Sequence, residues 1–402
     1  MNLERIGLPC MSAIVALLLL PCIGAGQDKP AADESALRRE LQELNLVVGD
    51  DPIQAKIEAL TADAARAKKL LAVASKMAKE KADAFNYNAA FVLLSVARHV
   101  RDVDSGRVFF EICESTARKL QSENKRASAF DEWTDLLLAT RKYKEAQQAA
   151  KQFLESRAED TEEVRVARVL MMFKLIRVTA LLGQMDEAEK LLEPLKKLFP
   201  DSVLTQETEA WLYQFQGKYD EAAKIYEKLL DKTDNERLQD ALHYALSGVY
   251  AEAGNVDKAA EHLQILLKKN PDSPRYNNDL GYIWADHDRN LEQAEKMIRK
   301  AVDKEPQNGA YLDSLGWVLY KKKQYQDALK YLEKAVSLPD GEHPEIYDHL
   351  GDVYLKLGHK EKAIAAWRKA IELCENNFRD RKRKQAIEHK LQQAGAAQAG
   401  QQ

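Results

Sequence analysis

The sequence predicts an all-α chain built from repeated helix–turn–helix units, and three observations predict it. Glycine (17) and proline (11) are sparse among 402 residues, while lysine, glutamate, alanine and leucine recur throughout, the usage of a helix-rich protein. A small residue returns at a near-constant interval, at Ala188, Ala222, Ala259, Ala294, Ala328 and Ala363, with separations of 34, 37, 35, 34 and 35. Within each interval two apolar stripes at spacings of three and four are separated by a short turn, so each period reads as two amphipathic helices.

In chain order, residues 1–26 read as a secretory signal. Arg5 and the terminal amine supply positive charge, and an apolar stretch from Ala13 to Ala25 follows. That stretch is too short for a spanning helix of about 20 residues. Gly24, Ala25 and Gly26 offer a cleavage site. The chain is therefore expected outside the cytoplasm, periplasmic or secreted. Leu19-Leu20-Pro21-Cys22 also resembles a bacterial lipoprotein signal, although Pro21 stands where that pattern has a small residue. Lipidation at Cys22, giving an inner- or outer-membrane tether, is the alternative to soluble export. Residues 27–35 are polar, contain Pro30 and read as a flexible leader.

Residues 36–82, alanine- and lysine-rich, read as a helical cap that begins a stack. Residues 83–168 carry the period in degenerate form, and residues 169–376 carry it clearly. The words around the turn agree: Met185-Asp186-Glu187-Ala188, Tyr219-Asp220-Glu221-Ala222, Leu291-Glu292-Gln293-Ala294 and Tyr325-Gln326-Asp327-Ala328. Leu280-Gly281, Leu315-Gly316 and Leu350-Gly351 form a second series, 35 apart. In the last unit Ile346, Tyr347, Leu350, Tyr354 and Leu357 mark the first stripe, Gly358 stops it, and Ala363, Ile364, Trp367, Ala370 and Ile371 mark the second. Asp186, Asp220, Asp257 and Glu292 stand where an acid suits the exposed N–H groups of a starting helix, and Pro200, Pro271, Pro306 and Pro339 stand where units close. Residues 377–393 read as a charged capping helix with the basic run Arg379, Arg381, Lys382, Arg383 and Lys384, expected as a solvated face; residues 394–402 read as a disordered tail.

These residues resemble the tetratricopeptide repeat family, whose 34-residue unit places an aromatic, Leu-Gly, Tyr, Ala, an aromatic, Ala and Pro at set offsets. The unit from Pro344 is similar through Tyr347, Leu350, Gly351, Tyr354, Ala363, Trp367 and Ala370; those from Gly309 and Pro274 are close, the latter with one extra residue in its turn. Units near Asp240, Val203 and Val169 are looser, and those near Ala127 and Asp83 degenerate. The resemblance implies a right-handed α-solenoid in which Gly281, Gly316 and Gly351 face an alanine of the partner helix, with Ala222, Ala259, Ala328 and Ala363 at close contacts and Tyr354 and Trp367 filling larger spaces. It further implies a groove lined by the first helix of each unit, placing there Tyr244 and Gly248, then Arg275, Asn278 and Tyr282, then Asp313, Trp317 and Tyr320, then Asp348 and Asp352. Aromatics among polar groups are typical anchors of binding surfaces, and the aspartates favour a basic or hydrophobic segment over a terminal carboxylate.

Other chemistry is sparse. A net charge of −4 argues against nucleic-acid binding. Cys113 and Cys374 are the cysteines outside the export segment and read as free, buried thiols without metal-ligand spacing. Ser122-Glu123-Asn124-Lys125 has the Ser-x-x-Lys spacing without its companion motifs. Asp286 to Asn290 begins like a calcium loop but has Leu291 at the bend and Met297 at the bidentate position, so it reads as a lengthened turn. His243, His262, His343 and His349 are scattered over different units. No metal or cofactor is expected. The function expected is a non-enzymatic scaffold that holds a protein or peptide partner; the alternatives are an enzyme with a site built across repeats, or a self-assembling envelope protein.

Overall fold

A computed structural model of the chain describes residues 34–81, 83–156, 161–338, 341–375 and 378–399. The expected signal, Cys22, most of the leader and Pro339 lie outside the described residues. Among those described there are twenty α-helices and no strand, as the repeat pattern requires. The first three are α1 (Glu34–Glu43), α2 (Asp50–Thr61) and α3 (Ala64–Glu80), with a 3₁₀ turn at Leu44–Leu46. Six more follow: α4 (Tyr87–Val100), α5 (Val103–Lys119), α6 (Glu123–Ala139), α7 (Tyr143–Glu155), α8 (Glu162–Leu181) and α9 (Met185–Leu198). The next six are α10 (Val203–Phe215), α11 (Tyr219–Lys232), α12 (Glu236–Glu252), α13 (Val256–Lys269), α14 (Pro274–Asp286) and α15 (Leu291–Lys304). Last come α16 (Gly309–Lys321), α17 (Tyr325–Val336), α18 (Pro344–Lys356), α19 (Lys360–Leu373) and α20 (Phe378–Ala399).

The chain forms two compact units divided between Pro194 and Leu195. In the first, α1 and α3 pack together and α3 meets α4, starting a row of helix pairs whose core holds Phe109, Phe130, Phe153 and Trp133. In the second, each helix packs on its neighbours in sequence, and the first helices α14, α16 and α18 also touch in succession. That is how units too small to bury their own apolar faces share one core.

The glycine contacts differ from expectation in one respect. A Cβ on Gly281 would lie 2.7 Å from Ile298, one on Gly316 2.6 Å from Leu332, and one on Gly351 2.4 Å from Trp367. Each glycine thus faces the large residue four positions beyond the alanine, and at Gly281 and Gly316 the alanine presents its carbonyl rather than its methyl. The chain ends differ too. The first described residues, from Glu34, are already helical, and α20 runs to Ala399 rather than stopping at 393, with Ile387 and Ala394 buried against the last helix pairs. Cys113 is buried as expected, but Cys374, just past the end of α19, is only half-buried.

The turn inside each pair has one geometry. Gly183, Gly217, Gly254 and Gly358 adopt positive φ there, and so do Arg101, Arg141, Asp288 and Lys323. At the last of these, Lys323 N–H donates to Tyr320 C=O and Gln324 N–H to Leu319 C=O, closing the helix as a Schellman motif does. Asp288 and Asn290, both at positive φ, make up the lengthened turn. A side chain at positive φ is strained and Lys323 is exposed, so Lys323→Gly should stabilise the chain by roughly 0.5–1 kcal/mol once the extra freedom of unfolded glycine is counted. A rise in the urea midpoint is the expected result; an unchanged or lower midpoint would show that the turn carries no such strain.

Candidate interaction groove

The first helices α12, α14, α16 and α18 of the second unit share one face, and that face is curled inward. Tyr282 on α14 donates its hydroxyl to Glu345 Oε1 on α18 at 2.7 Å, reaching across the intervening α16. Alternate helices of a flat row lie too far apart for such a bond, since neighbouring axes are already about 8–10 Å apart.

Beside this bond lies a buried polar and aromatic cluster. His349 Nδ1 stands 2.9 Å from Asp313 Oδ1, with the two residues 6% and 5% exposed. The Trp317 ring stacks on His349, centroids 4.0 Å apart, and on Tyr320 at 4.9 Å, while its Nε1 donates to Asp286 Oδ1 at 3.0 Å. Burial alone would lower the His349 pKa; the Asp313 carboxylate, in contact with it, raises it instead to about 9. Burial likewise works against the charge of Glu345, but Arg383, His349 and His343 hold its carboxyl down at about 2.

What lies on this face is the chain's own last helix. Phe378, at the start of α20, packs over Gly217, where a Cβ would come within 2.9 Å of its ring. Arg379 pairs with Glu252 on α12 at 2.5 Å and rests over the Phe215 ring. Arg383 pairs with Glu345 at 3.2 Å, and Lys390 Nζ lies 2.6 Å from Asp348 and 2.8 Å from Asp352. At 100° per residue, Arg379, Arg383, Ile387, Lys390 and Ala394 fall on a single stripe. Arg381, Lys382 and Lys384 of the same basic run fall elsewhere and are exposed. The run is therefore only partly the solvated cap that composition suggests.

Of the ten groove residues read from the sequence, Tyr282, Asp313, Trp317, Tyr320, Asp348 and Asp352 come together around α18, and Gly248 lies on α12 facing Gln214. Trp317 is 8% exposed, covered by the stacking just described, and the two aspartates are engaged by Lys390. Tyr244 and Arg275 form a second cluster: the Tyr244 hydroxyl donates to Asp279 at 2.8 Å, and the Arg275 guanidinium lies over its ring. Asn278 is buried beside them, donates to Asp279 at 3.2 Å and leaves its Oδ1 without a hydrogen-bond partner. Glu252, Glu345, Arg383 and Lys390 are not marked as groove residues by the family's offsets, and in the sequence His349 stands as one of several histidines scattered over different units. A partial signal existed, since Asp313 and His349 lie one repeat and one residue apart. Among the described residues no group of three or more His, Cys, Asp or Glu is arranged to hold a metal, and no helix is long and apolar enough to cross a membrane.

Comparison with known proteins places this architecture. Tetratricopeptide repeat family models match residues 216–278 and 288–345, and a model described as Regulator of microtubule dynamics protein 1-3 matches residues 317–395, a stretch that ends within α20. The chain is 26% identical over 175 residues to a TPR repeat-containing protein of Pseudomonas aeruginosa, covering 42% of this chain and 28% of that protein. It is 27% identical over 149 residues to the type IV pilus assembly protein PilF of the same organism, covering 36% and 58%. The chain thus spans less than two thirds of the length of either relative. A solved tetratricopeptide repeat protein from Parabacteroides merdae is 16% identical with a TM-score of 0.49, covering 67% of this chain and 98% of that one. The chain carries tetratricopeptide repeats, a class of helix-pair repeat that generally serves as a protein-interaction scaffold.

Proposed function

We propose that this chain is an exported, non-enzymatic scaffold that holds a helix or extended segment of a partner protein against the α12–α18 face. One observation carries the reading: that face is lined with carboxylates and aromatic rings, and it receives a basic helix along its length. An interaction groove needs this kind of surface, with central rings and rim charges that steer an oppositely charged partner. Export rests on residues 1–26, whose charge, apolar stretch and small residues follow the order of a secretory signal. A relative named for type IV pilus assembly supports a role in the cell envelope.

The test is affinity capture with cross-linking from the envelope fraction, comparing the full chain with its D348K variant. The expected result is a defined set of partners recovered with the unaltered chain and lost with the variant. An identical set from both would remove the groove as the site, and retention of the chain in the cytoplasmic fraction with residues 1–26 uncleaved would remove export.

A further inference from the structure

We infer that the α12–α18 groove is a receptor for a basic amphipathic helix, that α20 is its built-in occupant, and that a partner enters by presenting the same pattern and displacing α20. This rests on the interaction-groove reading above and names the partner's chemistry. The pattern consists of three cations at positions i, i+4 and i+11, supplied here by Arg379, Arg383 and Lys390. Small or branched apolar residues, Ile387 and Ala394, fill the same stripe.

The groove side is complementary in charge and spacing. Glu252 meets the first cation, Glu345 the second, and Asp348 with Asp352 the third. Without α20 these four carboxylates would line the groove with no cation from the α12, α14, α16 and α18 faces bonded to them. Tyr282 donates to Glu345 and so orients one carboxylate toward the incoming charge, while protonated His349 adds to the hold on it. A groove so charged selects a basic occupant and repels an acidic one.

The grip on α20 is of a kind that can be exchanged. The three cations remain 25–39% exposed in their pairs, so water and salt screen the contacts. Ile387 is the one fully buried large apolar side chain among the described side chains of α20. What favours the cis arrangement is connection: α20 follows α19 after four residues, which keeps it near the groove at high effective concentration. A free helix with the same pattern must overcome that advantage, and weakening the α20 contacts should lower the barrier.

The experiment uses the full chain, its R383E/K390E variant and a fluorescent peptide of residues 378–395. Anisotropy should show the peptide binding the variant at least tenfold more tightly than the unaltered chain, with affinity falling as salt rises. Adding D348K/D352K to the variant should abolish binding. Hydrogen exchange should show lost protection confined to residues 378–395, with α14 to α19 unchanged; the milder R383Q/K390Q chain should shift in the same direction. Equal affinity for the unaltered and variant chains would overturn the inference, as would no binding to a variant whose α20 has lost protection. An α20 that keeps its protection in both variants would also overturn it. Peptide binding as expected, alongside envelope capture that D348K leaves unchanged, would sink the partner reading and leave the cis-occupied groove standing. Failed peptide binding with D348K-sensitive capture would do the reverse.

Discussion

Replacing Trp367 by alanine should destabilise the second unit by about 3–5 kcal/mol, the range for removing a large aromatic from a packed interior. Trp367 is 1% exposed and among the largest fully buried side chains, and its Nε1 donates to Asp352 at 3.2 Å. The informative measurement is the coupling with Gly351. In the unaltered chain Gly351→Ala drives a methyl to 2.4 Å from Trp367 Cδ1, and overpacking of that kind costs roughly 1–3 kcal/mol. In the W367A background the obstructing ring is gone. The same change then replaces glycine by alanine inside a helix, a gain of roughly 0.5–1 kcal/mol. Gly351→Ala should therefore change sign between the two backgrounds. Urea midpoints for the four chains, with amide exchange across α18 and α19 to localise the effect, supply the cycle. Additive effects would mean that Gly351 is not held small by Trp367.

The same pair shows which parts of the architecture can be read from sequence and why. Gly351 and Trp367 lie 16 positions apart, within one repeat, and the repeat returns them in kind as Gly316 with Leu332 and Gly281 with Ile298. Contacts that the period reproduces leave a pattern in the residues, so the helix pairs, their turns and most of the core are legible. Turn geometry is legible where glycine marks it, at Gly358, and hidden where Arg141 or Lys323 takes the same positive φ. Most of the groove lies outside the period. Tyr282 and Glu345 are 63 positions apart and meet because the row of helices curls, a property set by small angular offsets that no single residue encodes. Arg379 and Glu252 are 127 apart and meet because α20 turns back along the row. The family's groove offsets therefore reach Asp348 and Asp352, which recur with the period, and not Glu252, Glu345 or the cations of α20, which do not.

His349 should give this chain a stability that depends on pH in an unusual range. Its pKa in the folded chain, about 9, lies above the value near 6.5 expected when unfolded, so the folded state holds the proton more tightly. The sign follows: the contribution is complete below about pH 6.5 and is lost as pH rises through about 9. Asp313, in contact with the ring, is the main source of that proton affinity, with Glu345 and Asp348 adding to it; Trp317 and Tyr282 face the ring without a counter-charge. Asp313→Asn keeps the shape and removes the charge, leaving the imidazolium buried against a neutral amide. At pH 6.5 the variant should be less stable by about 3 kcal/mol, the lower part of the range for breaking a buried ion pair. At pH 10, where His349 is neutral in either chain, most of that difference should vanish. Urea unfolding at the two pH values measures it directly, and NMR titration of His349 should show its pKa falling in the variant. A stability gap that persists unchanged to pH 10 would assign the loss to packing rather than charge, and the account of Asp313 as the counter-ion of His349 would fail. The linkage also reaches α20, because protonated His349 is one of the charges that keep Glu345 ionised for Arg383. Through this shared carboxylate, the acid–base state of the groove wall bears on how firmly its occupant is held.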